Sequence, residues 1–320
     1  MAVNLDKPGL WKQDTKSSVD HYNKWFMEFA PTAFRNTRIE VTSQVEKAII
    51  DANDMLALSP DLLRSQPGIL RTLRMSCCPP LAVDRLVGLA GASKSLVGSM
   101  EEGTIALRRK PEDVTLHLAR ILTVISKLLD PDIFVWVPEG RTPTPVERHR
   151  ASTIVADRLT GAVANPIIRN AQEKRQFSVI ETYLTHKGYQ KQQHPPGLPL
   201  TSMSPGTFAF HYSAATGDTS HHVNVSIDVL IQPHVLRPNK LPIMVEAKSA
   251  GDFTNTNKRR KEEADKFKRL KPTYGEDVCY VVFLCGYFDS GYLGFEAADG
   301  IDWVWEHRIE DFDQLWTPEP

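Results

Sequence analysis

Val-Asn-Val-Ser-Ile-Asp-Val-Leu-Ile, at residues 223–231, is the stretch that decides the fold of this chain. Its alternation and its β-branched residues predict a strand. After a short break that contains Pro and Asn, Leu-Pro-Ile-Met-Val-Glu-Ala-Lys at residues 241–248 predicts a second strand.

Three charged residues lie on these strands. Asp228 is inside the first strand, and Glu246 and Lys248 lie two apart at the end of the second. Period-two geometry places Glu246 and Lys248 on one face, and all three residues meet there if the strands are neighbours. Charges buried on a sheet are costly unless they are paired or hold a metal. The cluster is therefore a site hypothesis, with an ordinary edge-strand ion pair as the alternative.

A strongly basic segment follows the second strand. The helix predicted over residues 254–270 carries four consecutive basic residues, 258–261, in its first turns. Residues 237–271 contain eleven Lys/Arg and five Asp/Glu (11 − 5 = +6), whereas residues 276–320 contain one and eleven (1 − 11 = −10). Positive charge at a helix N-terminus opposes the helix dipole, and a bound anion would relieve that cost. Local charge therefore favours a phosphate backbone as partner although the net charge is only −1.

The overall composition is that of an ordinary soluble globular protein, with 41% hydrophobic and 24% charged residues. The sequence has no apolar run of 18 residues, so no membrane-spanning helix is expected. The first residues lack the apolar core of a signal peptide. The four cysteines have no CxxC spacing and are expected to be reduced thiols in the cytoplasm.

Two domains are predicted. Residues 1–145 read as a helical domain, and Pro-rich residues 131–145 mark its end. Residues 146–320 contain the strands and further helices. The expected fold class is α/β (α+β), with a helical N-terminal region followed by a mixed sheet flanked by helices.

Several element boundaries are predicted from proline and from apolar patterns. A helix over residues 18–29 is expected to stop before Pro31. Asn165-Pro166 resembles an N-cap followed by the first position of a helix that reaches Leu184. Residues 292–296 predict an edge strand and residues 302–312 a helix.

Residues 83–100 are a helix-turn-helix candidate. Two short helices are predicted on either side of Gly91, with Ser93 as the N-cap of the second. This arrangement would expose Lys94 at the start of a recognition helix. Helix pairs with a glycine turn are also common in any helical domain, so a packed helical hairpin remains the alternative.

Two converging carboxylates suit a hard cation such as Mg²⁺, which prefers oxygen ligands. A lysine beside them can orient an attacking water and offset negative charge on a phosphate. Asp228 followed by Glu-x-Lys on the next strand thus has the parts needed to hydrolyse a phosphodiester. No GxxxxGK[ST], GxGxxG, GxSxG or HExxH motif occurs, so nucleotide-binding, serine-hydrolase and zinc-protease interpretations lose their usual support.

The order Asp228, then Glu246-Ala247-Lys248, resembles the active-site signature of the PD-(D/E)xK nuclease superfamily. Three longer stretches resemble type II restriction endonucleases of the XamI group: residues 18–26, 164–170 and 246–263. The similarity covers most of the chain. The proline of the signature is missing, because Ile227 precedes Asp228.

This resemblance implies a Mg²⁺-dependent endonuclease that acts as a homodimer and cuts both strands of a short palindrome in double-stranded DNA. A GTCGAC-like sequence is the recognition site that the group suggests, with a cognate methyltransferase protecting the host DNA. A repair or structure-specific nuclease of the same superfamily and a non-catalytic DNA-binding module are the rival functions, followed by a metabolic enzyme that does not bind DNA.

The resemblance also assigns roles to individual residues. Asp228 and Glu246 would be metal ligands together with the backbone carbonyl of Ala247, and Lys248 would position the attacking water. Many members of the superfamily add an acidic residue from the helix before the sheet, for which Glu173 is preferred to Glu181.

DNA contacts are expected from the basic helix, from the loop before it and from the helix-turn-helix candidate. The predicted contact residues are Ser249, Asn255, Asn257, Lys258, Arg259, Arg260, Lys261 and Lys94.

Overall fold

The computed structural model describes residues 2–105, 110–195, 197–217, 222–254 and 256–316. The chain divides into two compact units, which we call the sheet unit (Met1–Phe29 and Arg169–Pro320) and the helical unit (Ala30–Ile168). This division differs from the predicted boundary at residues 145/146. The first helix and the seventh each run through a division point, so the sheet unit combines two separate stretches of the chain.

Among the described residues, seven helices precede the sheet: α1 (Pro8–Asp51), α2 (Pro60–Ser65), α3 (Ile69–Met75), α4 (Val83–Ala90), α5 (Lys94–Glu101), α6 (Pro111–Leu128) and α7 (Pro145–His186). Within the helical unit, apolar residues of these helices, including Ile49, Leu73 and Ile121, form one core together with Trp136 of the segment between α6 and α7. The expected boundary at residue 145 is the start of α7, a continuous helix whose first turns pack Ala151 and Val155 into the same core.

Two predicted helix ends are wrong. Pro31 lies inside α1, and Pro166 lies inside α7. A proline removes one backbone donor and crowds the preceding turn, but it does so at a single position. The long helices on either side supply the remaining hydrogen bonds, and the helix continues through each proline. Both prolines lie within a few residues of the points where the chain passes from one unit to the other.

The described part of the sheet unit contains six strands in sequential order: β1 (Gln190–Lys191), β2 (Thr207–Gly217), β3 (His222–Gln232), β4 (Ile243–Ala250), β5 (Tyr280–Gly286) and β6 (Asp302–Trp305). The pairs β2–β3 and β3–β4 are antiparallel, whereas β1–β2, β4–β5 and β5–β6 are parallel. Helix α8 (Thr256–Tyr274) connects β4 to β5, and α9 (Ser290–Ala298) connects β5 to β6. A 3₁₀ segment, Glu306–Phe312, precedes α10 (Asp313–Trp316).

The predicted fold class is confirmed: a mixed sheet is flanked by helices and joined to a helical N-terminal region.

Two local predictions are wrong. Residues 292–296 belong to α9 rather than to an edge strand, because Asp289 caps a helix by accepting a hydrogen bond from the Tyr292 N–H at 2.8 Å. Residues 302–305 form β6, whose tryptophans are fully buried, and only the residues after it are helical.

The two faces of the sheet carry separate apolar cores. Ile243 and Val245 of β4 pack with Ile180 of α7 on one face. Met244 packs with Phe267 of α8 on the other. Because side chains alternate along a strand, Glu246 and Lys248 lie on the face that α8 covers.

The segment before α1 closes the sheet unit beside β6. Asn4 is buried, and its side chain donates to the Trp303 carbonyl at 2.9 Å and to Asp311 at 3.0 Å. Its backbone N–H donates to Asp302 at 2.9 Å. Among the described residues, no helix is both long and apolar enough to cross a membrane.

Candidate active site

Asp228 lies where β3 and β4 stop pairing. The two strands pair from Val229↔Val245 to Ile231↔Ile243. Asp228 is the next residue of β3 beyond the last pair, and from there the two strands diverge. At this fork the backbone N–H of Ala247 donates to the Asp228 carboxylate at 2.9 Å. The side chain thus takes the place of a strand partner and is held at the opening of the sheet.

The neighbouring strand is irregular at the same level. His211 of β2 has φ +56°, and the β2–β3 pairing is interrupted between Phe210↔Val229 and Tyr212↔Ile227. In a regular strand, residues three apart point to opposite faces. Ala209 and Tyr212 nevertheless belong to the same core, so the alternation of β2 is reversed at His211. A left-handed backbone is unfavourable for a non-glycine residue, and such residues cluster at functional sites. The irregularity lies directly opposite Asp228.

Glu246 is buried, with 2% of its surface exposed. One oxygen, Oε1, lies 2.9 Å from the ammonium of Lys248 and 2.5 Å from that of Lys266. Within the described part of the chain, the other oxygen, Oε2, is buried without a hydrogen-bond partner. A buried acceptor of this kind is a candidate for binding an ion or an ordered water.

Lys248 is held from both sides of the sheet. Its ammonium lies 2.9 Å from Glu246 and 3.3 Å from Glu263 of α8. Its backbone carbonyl accepts a hydrogen bond from the side chain of Gln176, on α7, at 3.3 Å. The lysine therefore sits between two carboxylates and has little freedom to move.

The pKa values of the cluster reflect burial and mutual charge. Burial and the nearby Glu246 carboxylate raise the pKa of Asp228 to about 6. Burial alone would lower the pKa of Lys248, but Glu246 and Glu263 outweigh it and raise that pKa to about 12. Burial raises the pKa of Glu263 to about 7 although Lys248 opposes the change. Perturbed groups of this kind, clustered in one place, are typical of active sites.

The prediction that Asp228, Glu246 and Lys248 come together is consistent with this geometry, but two further members of the cluster were missed. Glu263 and Lys266 are one turn apart on α8 and both reach the β4 pair. In the sequence they are part of a highly charged helix, and nothing distinguishes them from its solvated residues. The apolar positions Ala264 and Phe267, which mark the buried face, are the only available signal.

Glu173 and Glu181 are placed differently from the cluster. Glu173 is exposed on α7, three residues before Gln176. In the described structure no hydrogen bond or ion pair joins it to Asp228, Glu246 or Lys248. Glu181 is engaged elsewhere, in an ion pair with Lys191 at 2.9 Å. The supporting role of Glu173 stays a prediction.

The predicted DNA-contact residues around α8 are described only in part. Asn255 lies outside the described residues, as do the side chains of Asn257, Lys258 and Arg259. Ser249 is half-buried on β4, and Lys261 is exposed on α8. The Arg260 guanidinium lies 3.6 Å from the centroid of the Phe295 ring, a cation–π contact that fixes the first turns of α8 against α9.

The helix-turn-helix candidate forms the two predicted helices, α4 and α5. Gly91 has φ +53° at the end of α4, a left-handed conformation that glycine adopts readily. The Ser93 hydroxyl caps α5 by accepting from the Leu96 N–H at 3.4 Å. Lys94 is exposed and pairs with Asp84 at 3.0 Å. Both interpretations, a groove-reading pair and a packed hairpin, fit this local structure.

One cluster of metal-ligand residue types occurs elsewhere in the described sheet unit: His21, Cys285 and Glu306. The Arg175 guanidinium lies 2.5 Å from Glu306 and 3.3 Å from the Cys285 sulfur. The Arg175 guanidinium therefore supplies a positive charge to the buried Glu306 carboxylate.

Comparison with known proteins identifies relatives along the whole chain. A family model described as "XamI restriction endonuclease" matches residues 53–305. "Type II restriction enzyme SalI" of Streptomyces albus G is 50% identical over 311 residues, which is 97% of this chain and 98% of the relative. "Type II restriction enzyme XamI" of Xanthomonas campestris pv. amaranthicola is 23% identical over 62% of this chain and 64% of its own. No solved structure gives a significant match.

Proposed function

The chain belongs to the XamI restriction endonuclease family, and from this membership we propose that Asp228, Glu246 and Lys248 form the centre at which it hydrolyses DNA. As a type II restriction enzyme it is a site-specific deoxyribonuclease that acts on double-stranded DNA. The restriction endonuclease family implies a divalent metal cofactor. We propose Mg²⁺ as that cofactor and a PD-(D/E)xK mechanism as the chemistry.

The buried Oε2 atom of Glu246, which lacks a hydrogen-bond partner in the described structure, carries this proposal. Asp228 supplies a second carboxylate at the same fork, where Ala247 donates to only one of its oxygens. Carboxylate oxygens are the donors that Mg²⁺ prefers. The residues present therefore fit the cofactor, with Asp228, Glu246 and the carbonyl of Ala247 as the groups that would hold it.

When bound, the cation supplies electrostatic stabilisation for the charge that develops on the phosphate. Lys248, fixed by two carboxylates, orients the attacking water and adds a second positive charge near the phosphate. The water oxygen forms a bond to phosphorus as the bond to the leaving oxygen breaks. The water gives up a proton to solvent, and the leaving oxygen takes one. We propose Glu173 of α7 as a supporting acid.

DNA binding is proposed to involve α8 and the residues before it. Ser249, Asn255, Asn257, Lys258, Arg259, Arg260 and Lys261 would contact phosphates and bases, and Lys94 of α5 would add a contact from the helical unit. We further propose that the enzyme acts as a homodimer, with one centre for each strand of a palindromic, GTCGAC-like site. A cognate methyltransferase would protect the host DNA in the cytoplasm.

Digestion of a plasmid of known sequence tests the proposal. The parent should give discrete fragments in Mg²⁺ whose ends map to one short palindrome, and no cleavage in EDTA. Asp228→Asn and Lys248→Met should each slow single-turnover cleavage by at least about 100-fold, because each removes a group that acts on the reacting phosphate.

Asp20→Asn is the matched control, since Asp20 is an exposed carboxylate of α1 that pairs with the surface residue Lys16 at 2.8 Å. It should cleave like the parent. Parental cleavage rates in both Asp228→Asn and Lys248→Met would show that the catalytic centre lies elsewhere.

A further inference from the structure

We propose that Glu263 is a positioning residue that holds Lys248 in place during DNA cleavage. The inference depends on the proposed function, because it concerns the lysine that this function places beside the phosphate. Glu263 lies on α8, fifteen residues after Lys248 in the chain, and its side chain crosses to the sheet face on which Lys248 lies.

The contacts of Glu263 are directed at the site. The residue is fully buried, at 0% exposure. One carboxylate oxygen lies 3.3 Å from the Lys248 ammonium, and the other lies 3.5 Å from the Tyr292 hydroxyl. Its neighbour Glu262 is exposed. The helix therefore presents one of two adjacent glutamates to the site and the other to solvent.

The number of anions around Lys248 indicates what Glu263 does. In the described structure, one oxygen of Glu246 forms ion pairs with two ammonium groups, those of Lys248 and Lys266. A divalent cation held by Asp228 and Glu246 would attract that carboxylate and repel both lysines, because like charges a few ångströms apart in a buried site interact strongly. Lys266 can retain its bond to the Ser226 carbonyl at 3.0 Å. Lys248 then keeps one anion, which is Glu263.

A purely stabilising ion pair is the alternative role for this contact. Burying two charges costs several kcal/mol per ion, and a buried pair usually adds little net stability. Stability alone therefore does not explain a glutamate at this position, where an apolar residue would fill the same space. Holding the catalytic lysine against a metal cation does explain it.

The experiment compares Glu263→Gln with Glu262→Gln. Both changes remove one negative charge from α8, and Gln keeps the size of the side chain. Glu263→Gln should reduce the single-turnover cleavage rate by roughly 10- to 100-fold, as the loss of a residue that orients a functional group typically does. DNA affinity, measured by fluorescence anisotropy in Ca²⁺, should stay within about twofold of the parent. Glu262→Gln should change neither quantity.

A double-mutant cycle with Lys248→Met provides a readout that does not depend on activity. Lys248→Met leaves Glu263 buried without a cation and should lower the melting temperature, whereas adding Glu263→Gln should restore at least about 3 °C of that loss. This restoration is expected because Gln is neutral, whereas a buried Glu263 without its cation must either carry an uncompensated charge or take up a proton. Melting temperatures that simply add would show that the two residues are not coupled.

The possible outcomes separate the inference from the function on which it rests. If Asp228→Asn and Lys248→Met are inactive while Glu263→Gln cleaves like the parent, the inference is wrong and the proposed function stands. Equal losses of DNA affinity and cleavage in Glu263→Gln would indicate a structural role and would also overturn it. Should Glu263→Gln fail to fold, Glu263→Asp keeps the charge but withdraws it by one methylene, and it should show the same selective loss of cleavage.

Discussion

The Asp228 carboxylate accepts a backbone N–H that would bond to a backbone carbonyl in a regularly paired strand. Because β3 and β4 diverge at this residue, its carboxylate accepts the Ala247 N–H and remains close to Glu246. Two carboxylates held in this way repel each other when no cation is bound, which is one reason why the pKa of Asp228 rises to about 6. The proposed cation would relieve this repulsion between the Asp228 and Glu246 carboxylates.

The first prediction at this scale concerns stability and pH. The ordinary pKa of an aspartate is 3.8, and that of Asp228 in the fold is about 6, so the folded state holds the proton more tightly. The stabilisation from that proton is complete below about pH 4 and is lost as the pH rises through about 6. In EDTA at pH 7, Asp228→Asn should therefore melt roughly 2–5 °C above the parent.

Thermal melts from pH 4 to pH 8 test this expectation. The difference between Asp228→Asn and the parent should shrink towards zero at pH 4, where the aspartate of the parent is also neutral. Asp20→Asn should follow the parent at every pH. A variant that melts below the parent at pH 7 would contradict the electrostatic explanation.

At the residue scale, the sequence was sufficient where the chemistry is local. Asp228, Glu246 and Lys248 stand out because charges inside apolar strands are unusual and because period two fixes their faces. Glu263 and Lys266 could not be separated from a helix in which charged residues are frequent. Their importance depends on the orientation of α8 about its axis relative to β4, which is set by tertiary packing.

At the scale of elements, two proposed roles fall on opposite sides of α8. Its buried side delivers Glu263 and Lys266 to the sheet, and its exposed side carries Lys261, with Arg260 stacked on Phe295 of α9. The packing that fixes the buried side therefore also fixes the exposed side. A shift of the helix would alter the site and the proposed DNA surface together.

The prediction for this element concerns salt dependence. Lys261→Ala should weaken binding to DNA in Ca²⁺ and reduce the slope of log K against log salt concentration by about 0.9, the value for one phosphate contact. Anisotropy titrations over a range of NaCl concentrations measure the slope. Lys12→Ala removes an exposed lysine from α1 in the same unit and should leave the slope unchanged. An unchanged slope in Lys261→Ala would remove this residue from the DNA surface.

Helix ends show the limit of local patterns at this scale. Pro31 and Pro166 carry the usual signals of a boundary, and Asn165 even provides a cap residue, yet both prolines lie inside long helices. The penalty of a proline is confined to one turn. The packing of α1 and α7 along their length, which local sequence does not reveal, determines that these helices continue.

At the scale of the whole molecule, the sheet unit depends on residues that are distant in the chain. Asn4 and Asp302 are 298 residues apart and are joined by a hydrogen bond. Arg308 adds a bond to the Asn4 side chain at 2.6 Å and pairs with Asp14 at 2.8 Å. The first 29 residues are therefore part of the unit that carries the candidate active site.

This connection predicts a stability effect without a catalytic one. Asn4→Ala leaves several buried partners unsatisfied at a cost of about 1–3 kcal/mol, and the melting temperature should fall by roughly 2–8 °C. Cleavage per folded molecule at 25 °C should stay within about twofold of the parent, because the hydrogen bonds of Asn4 go to residues other than the proposed catalytic ones. Gln13→Ala, an exposed change nearby, should affect neither property. A selective loss of cleavage in Asn4→Ala would contradict this separation.

Because Asn4 and β6 are far apart along the chain, the contacts between them can form only late in synthesis. A ribosome makes about 5–20 residues per second, so the segment around Asn4 waits roughly 15–60 s for residues 302–311, its partners in the finished fold. A chain released early contains Asp228, Glu246 and Lys248 but lacks the strand that completes the sheet. Such a chain cannot form these contacts, so a prematurely terminated product is expected to remain incompletely folded and to be susceptible to proteolysis.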